Sequence, residues 1–306
     1  MKSMVYTVTC NPALDYVMQV PQLQTEDINR SERETLTYGG KGINVSAVLA
    51  RLSVPTRALG FTAGFMGEKL KSLLSAEGIE CDFVDLPAGE TRINVKIRAR
   101  QELDINAIGP VVTAHDVERL LQKLDSLCAD DVLVLAGSIP SGLPQNLYCQ
   151  MLERIRGRGV QVAIDAEGEL LRNTLAYHPF LIKPNHHELG ALFGKDLHSV
   201  DELADCAKQL QAEGARNVLV SRAENGALLV DETGVCHTIG TVKGTLRNSV
   251  GCGDSMVAGF LAGWLTKKDH SYALRLGAAC GNATAFSDML ATRAEIDAVL
   301  SRLKGE

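Results

Sequence analysis

The residues best suited to chemistry form the run Asn248-Ser249-Val250-Gly251-Cys252-Gly253-Asp254-Ser255-Met256, directly ahead of an apolar helical stretch. Two glycines before a helix let successive backbone N–H groups converge on one point, with no side chain in the way. The helix N-terminus adds partial positive charge at the same place. Such a pocket suits a phosphate, or the charge developing on a phosphoryl group in flight. An aspartate set in it would repel a resting anion, but it makes sense as the base that takes a proton from an attacking hydroxyl. On these residues alone a plainer alternative stays open: a tight turn with Asp254 capping the helix.

Four further clusters carry polar chemistry. Gly39-Gly40-Lys41-Gly42-Ile43-Asn44 again precedes a helix and offers a point charge at Lys41. It is neither a GxxxxGK[ST] loop nor a dinucleotide fingerprint, because the third glycine of GxGxxG is missing. Asn11-Pro12-Ala13-Leu14-Asp15 places a carboxylate after a turn, where it would accept sugar hydroxyls or simply stabilise the turn. From Thr91 to Arg100 the pattern has period two: Ile93, Val95, Ile97 and Ala99 on one side, Arg92, Asn94, Lys96, Arg98 and Arg100 on the other. That predicts a half-exposed strand with a very polar face, which an ordinary solvated edge would also show. In Lys183-Pro184-Asn185-His186-His187-Glu188 the two histidines point in different directions on a helix, which argues against a zinc pair. The Asn185 and Glu188 spacing fits either a capping box or the outer shell of a hard metal.

Positioning these groups falls to an alternation of short strand-like runs and amphipathic helices. Strands are predicted over 4–10, 131–136, 160–165, 180–183 and 217–221. Helices are predicted over 43–52, 115–127, 147–156, 254–265, 272–286 and 293–303, and from about residue 113 onward helices fill the remainder. Continuous apolar runs such as VLVLAG, interleaved with helices, predict an α/β fold with a central, mostly parallel sheet covered on both faces. Extended stretches near 16–20, 34–38 and 91–108 break that rhythm and predict a small sheet projecting as a lid. The expected organisation is one domain over 1–306, with lid strands inserted from about 15–38 and 91–108.

Composition bounds the partners. The 306 residues are 45% hydrophobic and 22% charged, the composition of a globular chain, and the 28 glycines follow no repeat. With 31 basic and 37 acidic residues the net charge is −6, which gives no global field for nucleic acid or an anionic membrane. No apolar run approaches the roughly 18 residues of a membrane span. The opening MKSMVYTVTCNPALD lacks the apolar core of a signal peptide. Eight cysteines form no CxxC pair, and a cytoplasmic location with reduced thiols is expected.

Taken in order, NPALD, GGKGIN, TRIN, GSIPSG, KPNHHE and VGCGDSMVAGF resemble the ribokinase-like (PfkB) family of carbohydrate kinases over essentially the whole chain. NPALD, GGKGIN and TRINVKI together are most similar to members that phosphorylate fructose 1-phosphate, with kinases of tagatose 6-phosphate and fructose 6-phosphate as neighbours. The resemblance implies a ribokinase-like fold and transfer of phosphate from ATP, with Mg²⁺, to a ketohexose phosphate. It makes Asp254 the catalytic base and Gly251, Cys252 and Gly253 the anion hole for the transferred group. Asp15, Gly40 and Asn44 would hold sugar hydroxyls. Lys41 and Arg92 would hold the phosphate already on the sugar, with Gly39, Asn94 and Ser138 in the same pocket. Lys183 and Asn185 would approach the ATP phosphates, with Asn185 and Glu188 organising Mg²⁺ through water. Ser221, Gly226 and Gly253 would border the nucleotide, and Asn282 would lie near the adenine. The lid would double as a homodimer interface.

Three stretches depart from the family pattern. Cys252 stands where alanine is usual, so oxidation-sensitive activity is expected. Arg222 and Ala223 in SRAENGA replace the usual Leu and Gly at the nucleotide, and LDINAIGP differs in the lid. A reading from another class is a catalytically silent sugar-phosphate sensor, against which the intact Gly251, Gly253 and Asp254 speak.

Overall fold

The computed structural model describes residues 3–24, 26–100, 102–140 and 142–303. The remaining positions of the expected 1–306 span lie outside the described residues. The chain opens with β1 (Val5–Thr9), crosses into β2 (Ala13–Gln19) and β3 (Arg33–Gly39), and returns through α1 (Lys41–Arg51). There follow β4 (Thr56–Ala63), α2 (Gly64–Ala76), β5 (Glu80–Cys81), β6 (Val84–Leu86), then β7 (Arg92–Arg98) and β8 (Leu103–Asn106). Next come α3 (Ala114–Lys123), β9 (Val132–Ala136), α4 (Leu147–Arg154), β10 (Gln161–Asp165), α5 (Gly168–Arg172) and β11 (Leu181–Ile182). The last third runs α6 (His186–Phe193), α7 (Val200–Glu213), β12 (Asn217–Ser221), β13 (Ala227–Val230), β14 (Cys236–Ile239), α8 (Cys252–Lys267), α9 (His270–Phe286) and α10 (Arg293–Arg302).

The main sheet has the order β14-β13-β12-β11-β10-β9-β1-β4-β5, with β6 also on β4, and is parallel from β12 to β5. Its centre is buried on both faces: β1 and β9 are buried at every position, and the polar Thr7 of β1 is satisfied by the Ser46 hydroxyl. Two further strand regions add to the expected pattern, the first in a stretch given no element by the sequence and the second, as a correction, in a stretch expected to be helical. Residues 56–63 form the strand paired beside β1, where Thr56, Arg57 and Gly60 interrupt the apolar run that would have announced it. Residues 227–239 form an antiparallel hairpin at the sheet edge, turned at Asp231 to Gly234.

Helix α8 is buried from Asp254 to Trp264 and packs along α9. A Cβ at Gly259 would come within 2.6 Å of Cys280 Sγ and of the Leu276 carbonyl, so the two helices lie backbone to backbone. That contact fixes the helix whose first turn carries the GCGD run. Among the described residues no helix is long and apolar enough to cross a membrane.

The second sheet has the order β3-β2-β7-β8. Register places Asp15 opposite Asn94 and Thr37, and Val17 opposite Lys96, on one face; Tyr16, Leu36, Val95 and Ile105 share the other. The expected solvation of this sheet is inverted. Asn94 and Lys96 are buried, whereas Ile93, Val95 and Ile97 are half-buried and Ile105 is 54% exposed. The polar face is turned inward.

Candidate active site

A cleft of about 480 Å³ opens at the carboxyl ends of β1, β9 and β10, with the inward face of the second sheet forming one side. There the strand order reverses between β9 and β1, the point at which open parallel sheets bind ligands. The cleft is lined by residues from both glycine clusters, from β7 and from Lys183-Pro184-Asn185.

At its floor lies the first turn of α8. Gly251 is in the left-handed region at φ 79°, no side chain caps the helix, and the amides of Cys252, Gly253 and Asp254 carry no acceptor among the described residues. Four other helices (α3, α6, α7 and α10) start with a capping box that occupies their first amides, whereas the first turn of α8 turns free donors to the cleft. Asp254 is therefore not the cap. Its buried carboxylate accepts a hydrogen bond from Asn44 Nδ2 at 2.8 Å through Oδ2. Burial, reinforced by the charge of Asp165, pushes its pKa up to about 6, against the pull of Asn44, Lys41 and Lys183. An acid tuned there is ionised at neutral pH and still basic enough to accept a proton.

At the second-sheet end, Asp15 is held by two neighbours on β7. Asn94 Nδ2 donates to Oδ1 at 2.9 Å, and Lys96 Nζ lies 2.6 Å from Oδ2. Gly39 does not line the cleft; it backs Asp15, and a Cβ there would sit 2.6 Å from its carboxylate. Arg92 Nε donates to the Asn11 carbonyl at 3.1 Å, and Arg92 borders the same space with Gly40, Asn44 and Ser138.

Asp165, at the end of β10, was not among the expected site residues. Its carboxylate is 2% exposed, and one oxygen, Oδ1, lies 3.5 Å from Lys41 Nζ and 3.3 Å from Lys183 Nζ. Lys183 in turn reaches over the helix turn, 3.3 Å from where a Gly253 Cβ would be. Burial works against a charge on Lys41, yet Asp165, Asp254, Glu188 and Glu167 outweigh it and raise its pKa. Lys41 and Arg92, expected to share one phosphate, therefore line one cleft but have separate partners.

Asn185 and Glu188 form a capping box on α6: Asn185 Oδ1 accepts from Glu188 N at 2.9 Å, and Glu188 Oε2 accepts from Asn185 N at 2.8 Å. The box occupies Oε2 only, and Glu188 still lines the cleft beside Ser221. Gly226 and Asn282 lie off the cleft walls. Gly226 packs on the Ile239 carbonyl, and Asn282 Nδ2 donates to Ala278 of its own helix at 2.8 Å. Cys252 is half-buried, its Sγ donating to the Asn248 carbonyl at 3.4 Å. Burial and the neighbouring Asp254 push its pKa up to about 11. Both disfavour the thiolate, the form through which a thiol is oxidised. His186 and His187, expected to diverge, approach with ring centroids 3.9 Å apart and line a separate cavity of about 520 Å³. Among the described residues no group of three or more His, Cys, Asp or Glu side chains could hold a metal directly.

A carboxylate beside free helix-end amides and two lysines is an arrangement for phosphoryl transfer to a hydroxyl. Comparisons with known proteins agree. The family described as pfkB family carbohydrate kinase matches residues 8–294. The chain is 44% identical over 301 residues to a 1-phosphofructokinase of Bacillus subtilis, covering 98% of this chain and 99% of that protein. It is 34% identical to a D-tagatose-1-phosphate kinase of Bacillus licheniformis, covering 98% and 99%. The crystal structure of Escherichia coli phosphofructokinase-2 with substrates and products superposes with a TM-score of 0.92 at 27% identity, over 98% and 99% of the two chains. With a matching profile over nearly its whole length and relatives of this identity, the chain belongs to the pfkB family of carbohydrate kinases.

Proposed function

We propose that the enzyme transfers the γ-phosphoryl group of ATP to fructose 1-phosphate, giving fructose 1,6-bisphosphate and ADP. The observation that carries this reading is the placement of Asp254 at the uncapped N-terminus of α8. Asn44 fixes Oδ2, leaving Oδ1 to take the proton of the acceptor hydroxyl as its oxygen attacks phosphorus. The amides of Cys252, Gly253 and Asp254 receive the charge that grows on the transferred oxygens. Asp15, fixed by Asn94 and Lys96, accepts sugar hydroxyls, and Arg92 supplies positive charge for the phosphate the sugar already carries.

The nucleotide and its metal fit the other end of the cleft. Lys183, buried at 5% exposure, and Ser221 border it, and Glu188 retains a carboxylate oxygen outside its capping box. A magnesium ion bound with ATP would neutralise phosphate charge. Asn185 and Glu188 would hold it through water.

The choice of fructose 1-phosphate is supported by the Bacillus subtilis relative; the Bacillus licheniformis one makes tagatose 1-phosphate the second candidate. We also infer a homodimer through the outer face of the second sheet, which leaves Leu36, Leu103 and Ile105 37–54% exposed. The free cysteines suit a cytoplasmic setting. An ADP-release assay on fructose 1-phosphate, tagatose 1-phosphate, fructose 6-phosphate and tagatose 6-phosphate tests the activity. Preferred turnover of the first is expected. Binding without turnover of any would leave a sugar-phosphate sensor.

A further inference from the structure

The cations of the cleft divide between two aspartates. Lys96 pairs with Asp15 on the second sheet, and Arg92 stands on the same strand. Lys41 and Lys183 pair instead with Asp165 at the end of β10, both on the single oxygen Oδ1. Lys183 lies against the Gly253 amide turn. Asp254 belongs with the second group, since Asp165, Lys41 and Lys183 all act on its charge and Asn44 of α1 holds it.

The chemistry of the substrate gives this division a meaning. In fructose 1-phosphate the resident phosphate is on C1 and the free primary hydroxyl on C6, at opposite ends of the carbon chain. With the C6 hydroxyl on Asp254, the group in transfer lies with the α8 amides and the Asp165 cations. The resident phosphate then falls toward the other pole, where Arg92 stands.

We propose that Lys41 is a catalytic residue that neutralises the phosphoryl group in transfer, with Asp165 as the positioning residue that holds it there beside Lys183. This rests on the reading of the enzyme as a kinase of fructose 1-phosphate. A carboxylate shared by two ammonium groups fixes both side chains in a partly dry site, where charge acts strongly. The 3.5 Å separation of Lys41 from Asp165 is loose enough for the ammonium to turn to an arriving anion without leaving its partner. Glu167, 66% exposed and 3.8 Å away, adds a second tether at the rim.

The test compares Lys41→Met with Arg92→Ala by steady-state kinetics on fructose 1-phosphate. Wild-type turnover is measured first, and its absence would refute the assigned function itself. For Lys41→Met the expected result is a kcat lower by about 10²–10³-fold, with the sugar-phosphate KM within about threefold of wild type. For Arg92→Ala the expected split is the reverse, a KM raised at least about tenfold with kcat nearly kept. Lys41→Arg should recover part of the lost kcat. Asp165→Asn should lower kcat about 10–100-fold, and its effect should shrink in the Lys41→Met background. A raised KM with preserved kcat for Lys41→Met would overturn the proposal and return Lys41 to the resident phosphate. Full additivity of the two substitutions would remove Asp165 from its positioning role. Should Asp165→Asn fail to fold, the Lys41 and Arg92 split still decides the role of Lys41, and Asp165→Glu, which keeps the charge, decides that of Asp165: kcat within about tenfold of wild type is expected, and an unchanged folded protein with the Lys41→Met defect would contradict it.

Discussion

Asn44, in the first turn of α1, donates to Asp254 Oδ2 at 2.8 Å across 210 positions of sequence. The bond joins the two glycine-rich turns at the base itself. It favours the ionised carboxylate, whereas burial and Asp165 oppose it and set the pKa near 6. A plot of kcat/KM against pH should therefore fall on the acid side with a midpoint near 6. Asn44→Leu removes a donor to the charged form, so the midpoint should move to higher pH. An acid limb left in place would separate Asn44 from the base.

The same tuning costs stability. The folded-state pKa of Asp254 lies above its ordinary value of 3.8, so the native state binds this proton more tightly than the unfolded chain does. Its contribution is fully present below about pH 4 and is lost as pH rises through about 6. Asp254→Asn keeps a neutral group there at all pH values. Its melting temperature should exceed that of wild type by a few degrees at pH 8, with the difference shrinking toward pH 4. Equal melting temperatures at pH 8 would mean that Asp254 is fully compensated.

Gly39 leaves Asp15 its place. A Cβ there would stand 2.6 Å from Oδ1 and 2.7 Å from Oδ2, so Gly39→Ala must push the carboxylate off its bonds to Asn94 and Lys96. Steady-state kinetics should show the sugar-phosphate KM raised about tenfold or more, with the ATP KM nearly unchanged.

Cys252 is held as a thiol by burial and by Asp254. Iodoacetamide at pH 7.5 should inactivate the enzyme slowly, and Cys252→Ala should retain kcat within about threefold, because the anion hole works through backbone amides. Rapid inactivation abolished by Cys252→Ala would show a thiolate that this environment disfavours.

Much of the site could be read from local pattern. Gly251 to Asp254 and Gly39 to Asn44 each carry a turn, a helix start and a reactive side chain within a few residues, so local rules suffice. What escaped depended on tertiary placement. Asp165 ends the run QVAID, and nothing within that run shows that two distant lysines converge on it; an acid at the carboxyl end of a parallel strand is the one signal that could have raised it. The period of two along Arg92 to Arg98 separates the faces correctly but not which is buried, because the second sheet turns its polar side into the cleft. β4 escaped because Thr, Arg and Gly dilute its apolar signal, and β13 because the four apolar residues ALLV are too short a run to tell a strand from a helical turn; burial beside β1 and pairing with β12 decide both.

The role of Asp254 is the centre of the account, and one rate tests it most directly. In a single turnover with saturating ATP and fructose 1-phosphate, Asp254→Asn should bind both substrates and transfer phosphate about 10²–10⁴-fold more slowly than wild type, a barrier raised by roughly 3–5 kcal/mol. Transfer within about threefold of the wild-type rate would contradict it.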